Sequence, residues 1–306
     1  MSRSLQRSVD LLVSSLLSSA PPSASHLTAF SGGVDSSLAL KLVSLAFPAA
    51  SRAVIGVSAA LPSAQLRLAR EVARAIGAPL TEVRTAEGAN PEYVRNRGQS
   101  CFHCKTALYE SLSAVLDFAG GGGGADAQGP LVLYNGTNAD DLADPTRVGL
   151  LAARDFQVVQ PLAGLAKPEV RELAAFLGLP NHAHAASPCL RSRLAFGVEA
   201  TAGHMRAIER AEGFVREGLG LPVTANMRVR MLAGGRAVVE LDYGGGEEGY
   251  EGWVGERRGR LRERGGDDVF LKECGFVEYG VRRFKSGGEA VEIKLSGDEV
   301  RRIQRP

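Results

Sequence analysis

The sequence predicts an α/β protein: a doubly wound parallel sheet followed by a smaller α+β unit. Three observations predict it. Short apolar runs alternate with longer amphipathic stretches through the first two thirds of the chain, the order that builds a parallel sheet with helices on both faces. The first apolar run ends in a glycine turn, Ser31-Gly32-Gly33, that leads straight into a helical pattern. Near Thr201 the character changes, and a charged helix gives way to a two-residue alternation broken at Gly234-Gly235, as in a β-hairpin. The change places the first unit at residues 1–198 and the second at 199–306.

The elements follow in order. The opening segment, MSRSLQRSVDLLVSSLLSSAPPSAS, is rich in Ser and Arg, with Asp10 its only acid. It reads as an amphipathic helix carrying Val9, Leu11, Leu12, Leu16 and Leu17 on or near one face; the same composition also suits an organelle transit peptide. Leu27 to Phe30 is the first strand, and from Val34 a helix carries Leu38, Leu40, Leu42, Val43 and Leu45. Ala53 to Val57 is the second strand, Ser63 to Ile76 a helix closed by Gly77, and Leu80 to Val83 the third strand. Cys104 to Phe118 forms a helix with Leu108, Leu112, Val115 and Leu116 inward. Gly120 to Gly129 is a low-complexity insertion. Leu131 to Tyr134 is the fourth strand and Phe156 to Val159 a fifth, and Lys167 to Leu177 is a helix stopped by Gly178 and Pro180. In the second unit Thr201 to Glu217 is a helix, and Met227 to Met231 with Arg236 to Asp242 make the hairpin. A Gly/Glu/Arg-rich stretch holds Trp253, and Phe276 to Ile293 supplies one or two more strands.

Composition narrows the function. The chain has 306 residues, 44% hydrophobic and 23% charged, the balance of a soluble globular protein rather than a disordered one. No run approaches the ~18 apolar residues of a membrane span. A net charge of +2 lacks the basic excess of a dedicated nucleic-acid binder. Four cysteines form no disulfide scaffold, so each is judged as ligand, nucleophile or core filler.

The loop Ala29 to Ser37, AFSGGVDSS, carries the first chemistry. Gly32 and Gly33 let the backbone turn its N–H groups toward an anion, and the helix from Val34 points its positive end there. Ser31, Ser36 and Ser37 add hydroxyls. The loop lacks the Gly-Lys-Ser/Thr ending of a Walker A motif. Cys101-Phe102-His103-Cys104 is a CxxC, and Cys189 stands in Ser187-Pro188-Cys189-Leu190-Arg191-Ser192-Arg193. Three thiolates hold three corners of a [4Fe–4S] cluster; a closed zinc site needs a fourth ligand, for which His103, His182 and His184 are candidates. Cys274 lacks a partner motif and reads as core filler. Arg228 and Arg230, two apart on a strand, point to one side and reach one anion, or else are two solvated arginines on a hairpin.

The loop resembles the PP-loop of the ATP pyrophosphatases, and the order of motifs narrows the resemblance. SGGVDSS is followed by Asn96-Arg97 and the CxxC with Lys105, then by Asn135-Gly136-Thr137-Asn138-Ala139-Asp140-Asp141. Gln160-Pro161-Leu162, Lys167-Pro168-Glu169-Val170-Arg171, the Cys189 segment and Arg228-Val229-Arg230 complete the series. This order is similar to the LarE family, ATP-dependent sulfur transferases acting on a pyridinium dicarboxylate mononucleotide in nickel-pincer cofactor biosynthesis, over roughly Leu11 to Phe284. The resemblance implies that ATP and Mg²⁺ adenylate one carboxylate and that a sulfur nucleophile displaces AMP. In one subgroup the cysteine matching Cys189 gives up its sulfur and ends as dehydroalanine; in another, three cysteines and a [4Fe–4S] cluster deliver added sulfide. Cys101, Cys104 and Cys189 match the second.

The resemblance further implies that Asp35 contacts the magnesium–pyrophosphate group, and that Gly136 and Thr137 line the nucleotide crevice. Arg228 and Arg230 grip the substrate phosphate, and Asp140, Glu212 and Glu240 stand where the family has acids near a metal. The resemblance implies a small substrate and a sulfide donor as partners; together with the charge and the absence of an apolar span, we expect a cytoplasmic protein, a homo-oligomer, with no nucleic acid or membrane. Two enzymes compete with this reading: a three-cysteine tRNA-thiolating PP-loop enzyme, and an amide-forming ligase such as an NAD synthase, which leaves the cysteines unexplained. A third is a binding protein that kept the loop without turnover.

Overall fold

In a computed structural model, which describes residues 2–119, 130–242 and 250–284, the alternation resolves into two sheets. The strands of the first are β1 (Ser25–Ala29), β2 (Ser51–Val57), β3 (Leu80–Arg84) and β4 (Leu131–Tyr134). All are parallel, in the order β3-β2-β1-β4. Around them run α1 (Ser2–Ser19), α2 (Val34–Ala46), α3 (Ser63–Ile76), α4 (Pro91–Arg95), α5 (Ser100–Ala119), α6 (Ala139–Ala143), α7 (Gly149–Asp155) and α8 (Lys167–Phe176). The second sheet orders β5 (Met227–Leu232), β6 (Arg236–Leu241) and β7 (Glu278–Arg283), with α9 (Ala202–Gly218) and α10 (Tyr250–Glu263). There β5 and β6 form the expected antiparallel hairpin, and β7 runs parallel to β6. Among the described residues no helix is long and apolar enough to cross a membrane.

The pleat explains why helices cover both faces of the first sheet. Successive side chains point oppositely, so Leu27, Ala29, Val54 and Leu133 meet α5 and α7 through Tyr109, Leu112, Ala152 and Ala153. Ala53, Ile55 and Tyr134 face the other way, into a core built by α1, α2, α3 and α8. Within α1, Val9 and Leu16 are buried while Leu11 and Leu17 stay exposed, so its apolar stripe is narrower than the sequence suggested.

Two expectations change. The fifth strand over Phe156–Val159 reduces to one bridge, Val159 to Tyr134. Phe156 caps α7 and Gln157 turns at φ 52°, so only the end of the segment is extended. The helix expected from Cys104 begins earlier, at Ser100, and thereby takes in both cysteines of the CxxC. The Gly120–Gly129 insertion, the start of the Gly/Glu-rich stretch (243–249) and the tail beyond Phe284 lie outside the described residues, as do the side chains of Val115 and Leu116. Cys274 packs partly buried against the second unit's core, as core filler would.

His26 sits fully buried on β1, stacked on Phe47 with ring centroids 3.6 Å apart and its Nδ1 2.8 Å from the Tyr134 hydroxyl. Its Nε2 has no hydrogen-bond partner. Burial lowers the His26 pKa, so in acid the unfolded chain takes up a proton that the native state refuses. The stability this group contributes is complete above the ordinary pKa of about 6.5 and falls as pH drops through that value toward the lower native one. Urea midpoints measured at about pH 7.5 and about pH 5.5 should therefore fall in acid, and His26→Gln should flatten the dependence. Equal slopes for the two proteins would remove His26 as the cause.

Candidate active site

The strand order reverses between β1 and β4, and the loops that leave these strands flank the switch point where such sheets bind ligands. The β1 loop is held in shape from several sides. Gly32 adopts φ 71°, and a Cβ there would meet the backbone of Ala69 on α3 at 2.8 Å. The fully buried Asn181 donates through Nδ2 to the Gly32 carbonyl (2.7 Å) and to the Ser37 hydroxyl (2.9 Å). Gln65 Nε2 donates to the Ser31 carbonyl at 2.6 Å. Ser37, expected to face an anion, is fully buried and donates to the Gly33 carbonyl, so it supports the loop instead. Ser31 and Ser36 hydroxyls lie 3.0 Å apart, with Ser31 exposed.

From the other side, Gly136 presses on the same loop. A Cβ on it would lie 2.5 Å from the Ser36 nitrogen. Its neighbour Thr137 donates its backbone N–H to Asn135 Oδ1 in an Asx turn. Asn138 caps α6 and also donates to Asp35 Oδ1 at 3.3 Å. Asp35 is ion-paired with Lys167, the first residue of α8. Asp140 accepts from the Lys167 backbone N–H at 2.7 Å, which fixes the start of α8 beside the loop. A carboxylate and an ammonium thus face each other where the amides of the turn open.

The three thiols come together at the same end of the sheet. Cys101 and Cys104, three residues apart in the first turn of α5, share a face. Cys189 reaches them because Leu190 N–H bonds the Ala60 carbonyl after β2 and because Asn96 anchors the segment. Asn96, at φ 50°, donates to the Ala195 and Val198 carbonyls and accepts from Arg191 Nη1 at 3.0 Å. Arg191 Nη2 then donates to Cys101 Sγ at 2.6 Å. Burial pushes the Cys104 thiol up to about 12, with the Cys189 and Cys101 thiols and Glu87 adding to the shift. Cys101 is exposed as a residue, yet the protein around it raises its pKa while Arg191 opposes. Burial works against the charge on Lys105, but Tyr109 and the three thiols outweigh it and its pKa rises. An acid-to-base chain connects this cluster with the β1 loop: Asp35, Asn138, Asp141, then Arg147, which pairs with Asp141 at 2.8 Å and acts on Cys101. The thiols are free. Among the described residues no three His, Cys, Asp or Glu side chains converge as ligands of a single metal ion, and the His182 ring bonds the Leu179 carbonyl.

The second unit brings arginines to a nearby face. The register sets Arg228, Glu240 and Arg282 in a row across β5, β6 and β7, with Arg230 on the same side. Glu240 is 1% exposed and accepts from Arg230 Nε at 2.8 Å and Arg282 Nη2 at 2.6 Å. Glu212 on α9 accepts from the buried Arg193 (2.9 Å) and from Val229 N–H (3.0 Å). Both acids, expected beside a metal, are engaged by arginines, because a buried carboxylate needs a cation at hand. Four guanidiniums meet two carboxylates. Burial lowers the Arg228 pKa, and Arg193 and Arg230 add to the effect. Its guanidinium lies 4.7 Å from the centre of the Phe284 ring.

Over 192 residues the chain is 36% identical to the uncharacterized protein slr1717 of Synechocystis sp. (strain ATCC 27184 / PCC 6803 / Kazusa), which spans 62% of this chain and 68% of that protein. This chain belongs to the slr1717 family. No family model matches it.

In this slr1717-family chain, sequence reasoning passed over Lys167, Asn181, Asn96 and Arg191 as separate site residues. Lys167 and Arg191 lay within motifs already noted, but nothing local marked them as partners of Asp35 and Cys101. Asn181 had no signal at all, since its two bonds reach residues far back in the chain. Glu240→Ala should cost ~3–5 kcal/mol of stability, because it strips two guanidiniums of a buried partner. Glu82→Ala, which opens the exposed pair with Arg70, should cost ~0–1 kcal/mol. Urea denaturation checks both; equal losses would show that burial of Glu240 carries no weight.

Proposed function

We propose that this protein is an ATP-dependent sulfur transferase of the PP-loop type. It adenylates one carboxylate of a pyridinium dicarboxylate mononucleotide, and sulfur then displaces AMP to give a thiocarboxylate. The observation that carries the reading is the meeting of the Ser31–Ser37 loop and three free thiols at one end of a parallel sheet.

The loop amides around Gly32 and Gly33, at the positive end of α2, suit the phosphates of ATP. Asp35 and Lys167 offer the two charges that a magnesium–pyrophosphate group needs, a carboxylate for the cation and an ammonium for phosphate oxygens. Asp35 would hold the magnesium there, and its charge chemistry would ease departure of pyrophosphate. The guanidiniums of Arg228 and Arg230, side by side on β5, suit the substrate's phosphate. A substrate carboxylate oxygen attacks the α-phosphorus and pyrophosphate leaves. The sulfur nucleophile then attacks the acyl carbon, the C–O bond to AMP breaks, and AMP leaves in place of a poor oxygen leaving group.

The donor set suits an iron–sulfur cluster by its chemistry: Cys101, Cys104 and Cys189 are free thiols that act electrostatically on one another. These three would hold it, leaving one iron open, and the cluster would present sulfide as the nucleophile. Lys105 and Arg191 offset the negative charge that thiolate ligands bring.

Pyrophosphate release tests the reading. Wild-type protein should release it from ATP and magnesium only when the pyridinium mononucleotide is present. Asp35→Ala should abolish release while its thermal transition stays unchanged. Stimulation by tRNA instead of the mononucleotide, or wild-type release by the Asp35 variant, would overturn the assignment.

A further inference from the structure

Arg193 is 2% exposed, and its guanidinium is divided between two sets of partners. On one side Nε and Nη2 donate to the two carboxylate oxygens of Glu212 on α9, at 2.9 and 3.4 Å. On the other side Nη1 donates to the Pro188 carbonyl (2.5 Å), the Cys189 carbonyl (3.3 Å) and the Ser192 hydroxyl (3.2 Å). The Ser192 hydroxyl in turn donates to the Cys189 carbonyl at 2.7 Å, which closes the turn that carries the thiol. Glu212 reaches further. The same Oε1 accepts from Val229 N–H at 3.0 Å, between Arg228 and Arg230 on β5. Two more bonds fasten the segment to that strand, Arg230 Nη1 to the Ser192 carbonyl (3.4 Å) and Ala195 N–H to the Met231 carbonyl (2.9 Å). The Cys189 turn of the first unit and the arginine strand of the second are therefore tied at successive levels.

A buried guanidinium must be paired, and the Glu212 carboxylate alone meets that need. Charge balance does not ask Nη1 to face the other way and gather the backbone around Cys189. That direction fixes a geometry. Arginine can hold both sides because its N–H donors sit on a rigid planar fork, which the single ammonium of lysine does not reproduce. Sulfur transfer is the step where such geometry counts. A substrate anchored through its phosphate presents its adenylated carboxylate at a set distance, and the sulfur must arrive within bonding reach of that carbon. We propose that Arg193 is a positioning residue for sulfur transfer: by clamping the Cys189 turn to Glu212, and through Glu212 to β5, it fixes the distance between Cys189 and a substrate held at Arg228 and Arg230. The inference rests on the sulfur-transfer reading. It adds that adenylation and sulfur delivery have separate supports, Asn181 and Gln65 for the β1 loop and Arg193 for Cys189. When the clamp is loosened the adenylate still forms. Water instead of sulfur then attacks its acyl carbon, the C–O bond to AMP breaks, and the carboxylate is regenerated.

The test compares wild type with Arg193→Lys, which keeps the charge and loses the fork. Thiocarboxylate and pyrophosphate are followed in one anaerobic reaction with ATP, magnesium, the pyridinium mononucleotide and sulfide. In the variant, thiocarboxylate formed per pyrophosphate should fall about tenfold, while the ATP concentration for half-maximal pyrophosphate release stays put. A purely structural role would lower both products together and leave their ratio alone. Glu212→Gln keeps an acceptor for Val229 N–H and weakens the fork, so it should lower the ratio in the same direction; it carries the test if Arg193→Lys does not fold. A second readout needs no turnover. In the full chain prepared without iron, iodoacetamide should alkylate Cys189 several times faster in Arg193→Lys than in wild type, with Cys274 alkylated at an unchanged rate. An unchanged product ratio in the variants, or a Cys189 alkylation rate equal to that of wild type, overturns the clamp. Failure of the sulfur-transfer reading looks different: wild type then releases no pyrophosphate with the mononucleotide, while the faster alkylation of Cys189 in the variant remains.

Discussion

The close approach of two backbones at the sheet's switch point governs the rest of the site. The loop after β1 and the loop after β4 touch so tightly that a single methyl group on Gly136 would strike the Ser36 nitrogen. That contact requires a glycine on the β4 side and the left-handed turn at Gly32 on the β1 side. Once the two loops are pressed together, Asn138 falls within reach of Asp35, and α8 starts where Lys167 can pair with it. Asn181 and Gln65 then fasten the loop from behind and below. The parts that would meet a nucleotide are therefore preorganised by packing between separate strands, which is the arrangement that keeps the cost of ordering a loop out of binding.

The electrostatics divide the crevice into two regions of different kind. Around the thiols, burial disfavours thiolate and raises the Cys104 and Cys101 pKa. Lys105 and Arg191 supply fixed positive charge there. Around β5, arginines outnumber the carboxylates beside them, and burial, with Arg193 and Arg230 adding to it, lowers the pKa of Arg228. An anion docking beside it would restore the balance. Arg147, paired with Asp141 and acting on Cys101, links the loop after β4 to the thiols.

Much of this was legible in the sequence because it is local. The strands β1 to β4 and the helix Ser63–Ile76 follow from apolar runs and from Gly77 as a left-handed cap. The hairpin follows from alternation around Gly234-Gly235. The glycine loop and the CxxC announce themselves by spacing. The fifth strand was over-read because apolar content at Phe156–Val159 resembles a strand while the backbone at Gln157 turns away. The arginines that bind Glu212 and Glu240 could not be read from the sequence, because they lie on other elements. The bonds of Arg193 to Glu212 and to the Pro188 carbonyl belong to tertiary packing between the two units, where no periodicity reports.

The account stands on sulfur replacing an oxygen of an adenylated carboxylate, drawn through Cys101, Cys104 and Cys189. The most direct measurement is mass spectrometry of both substrate and protein after anaerobic reaction with ATP, magnesium, the pyridinium mononucleotide and excess sulfide. The account predicts several equivalents of thiocarboxylate per chain, about four irons per chain and a Cys189 peptide of unchanged mass. AMP and pyrophosphate without a sulfur-bearing product, or an iron-free protein whose Cys189 has become dehydroalanine after one turnover, would contradict it.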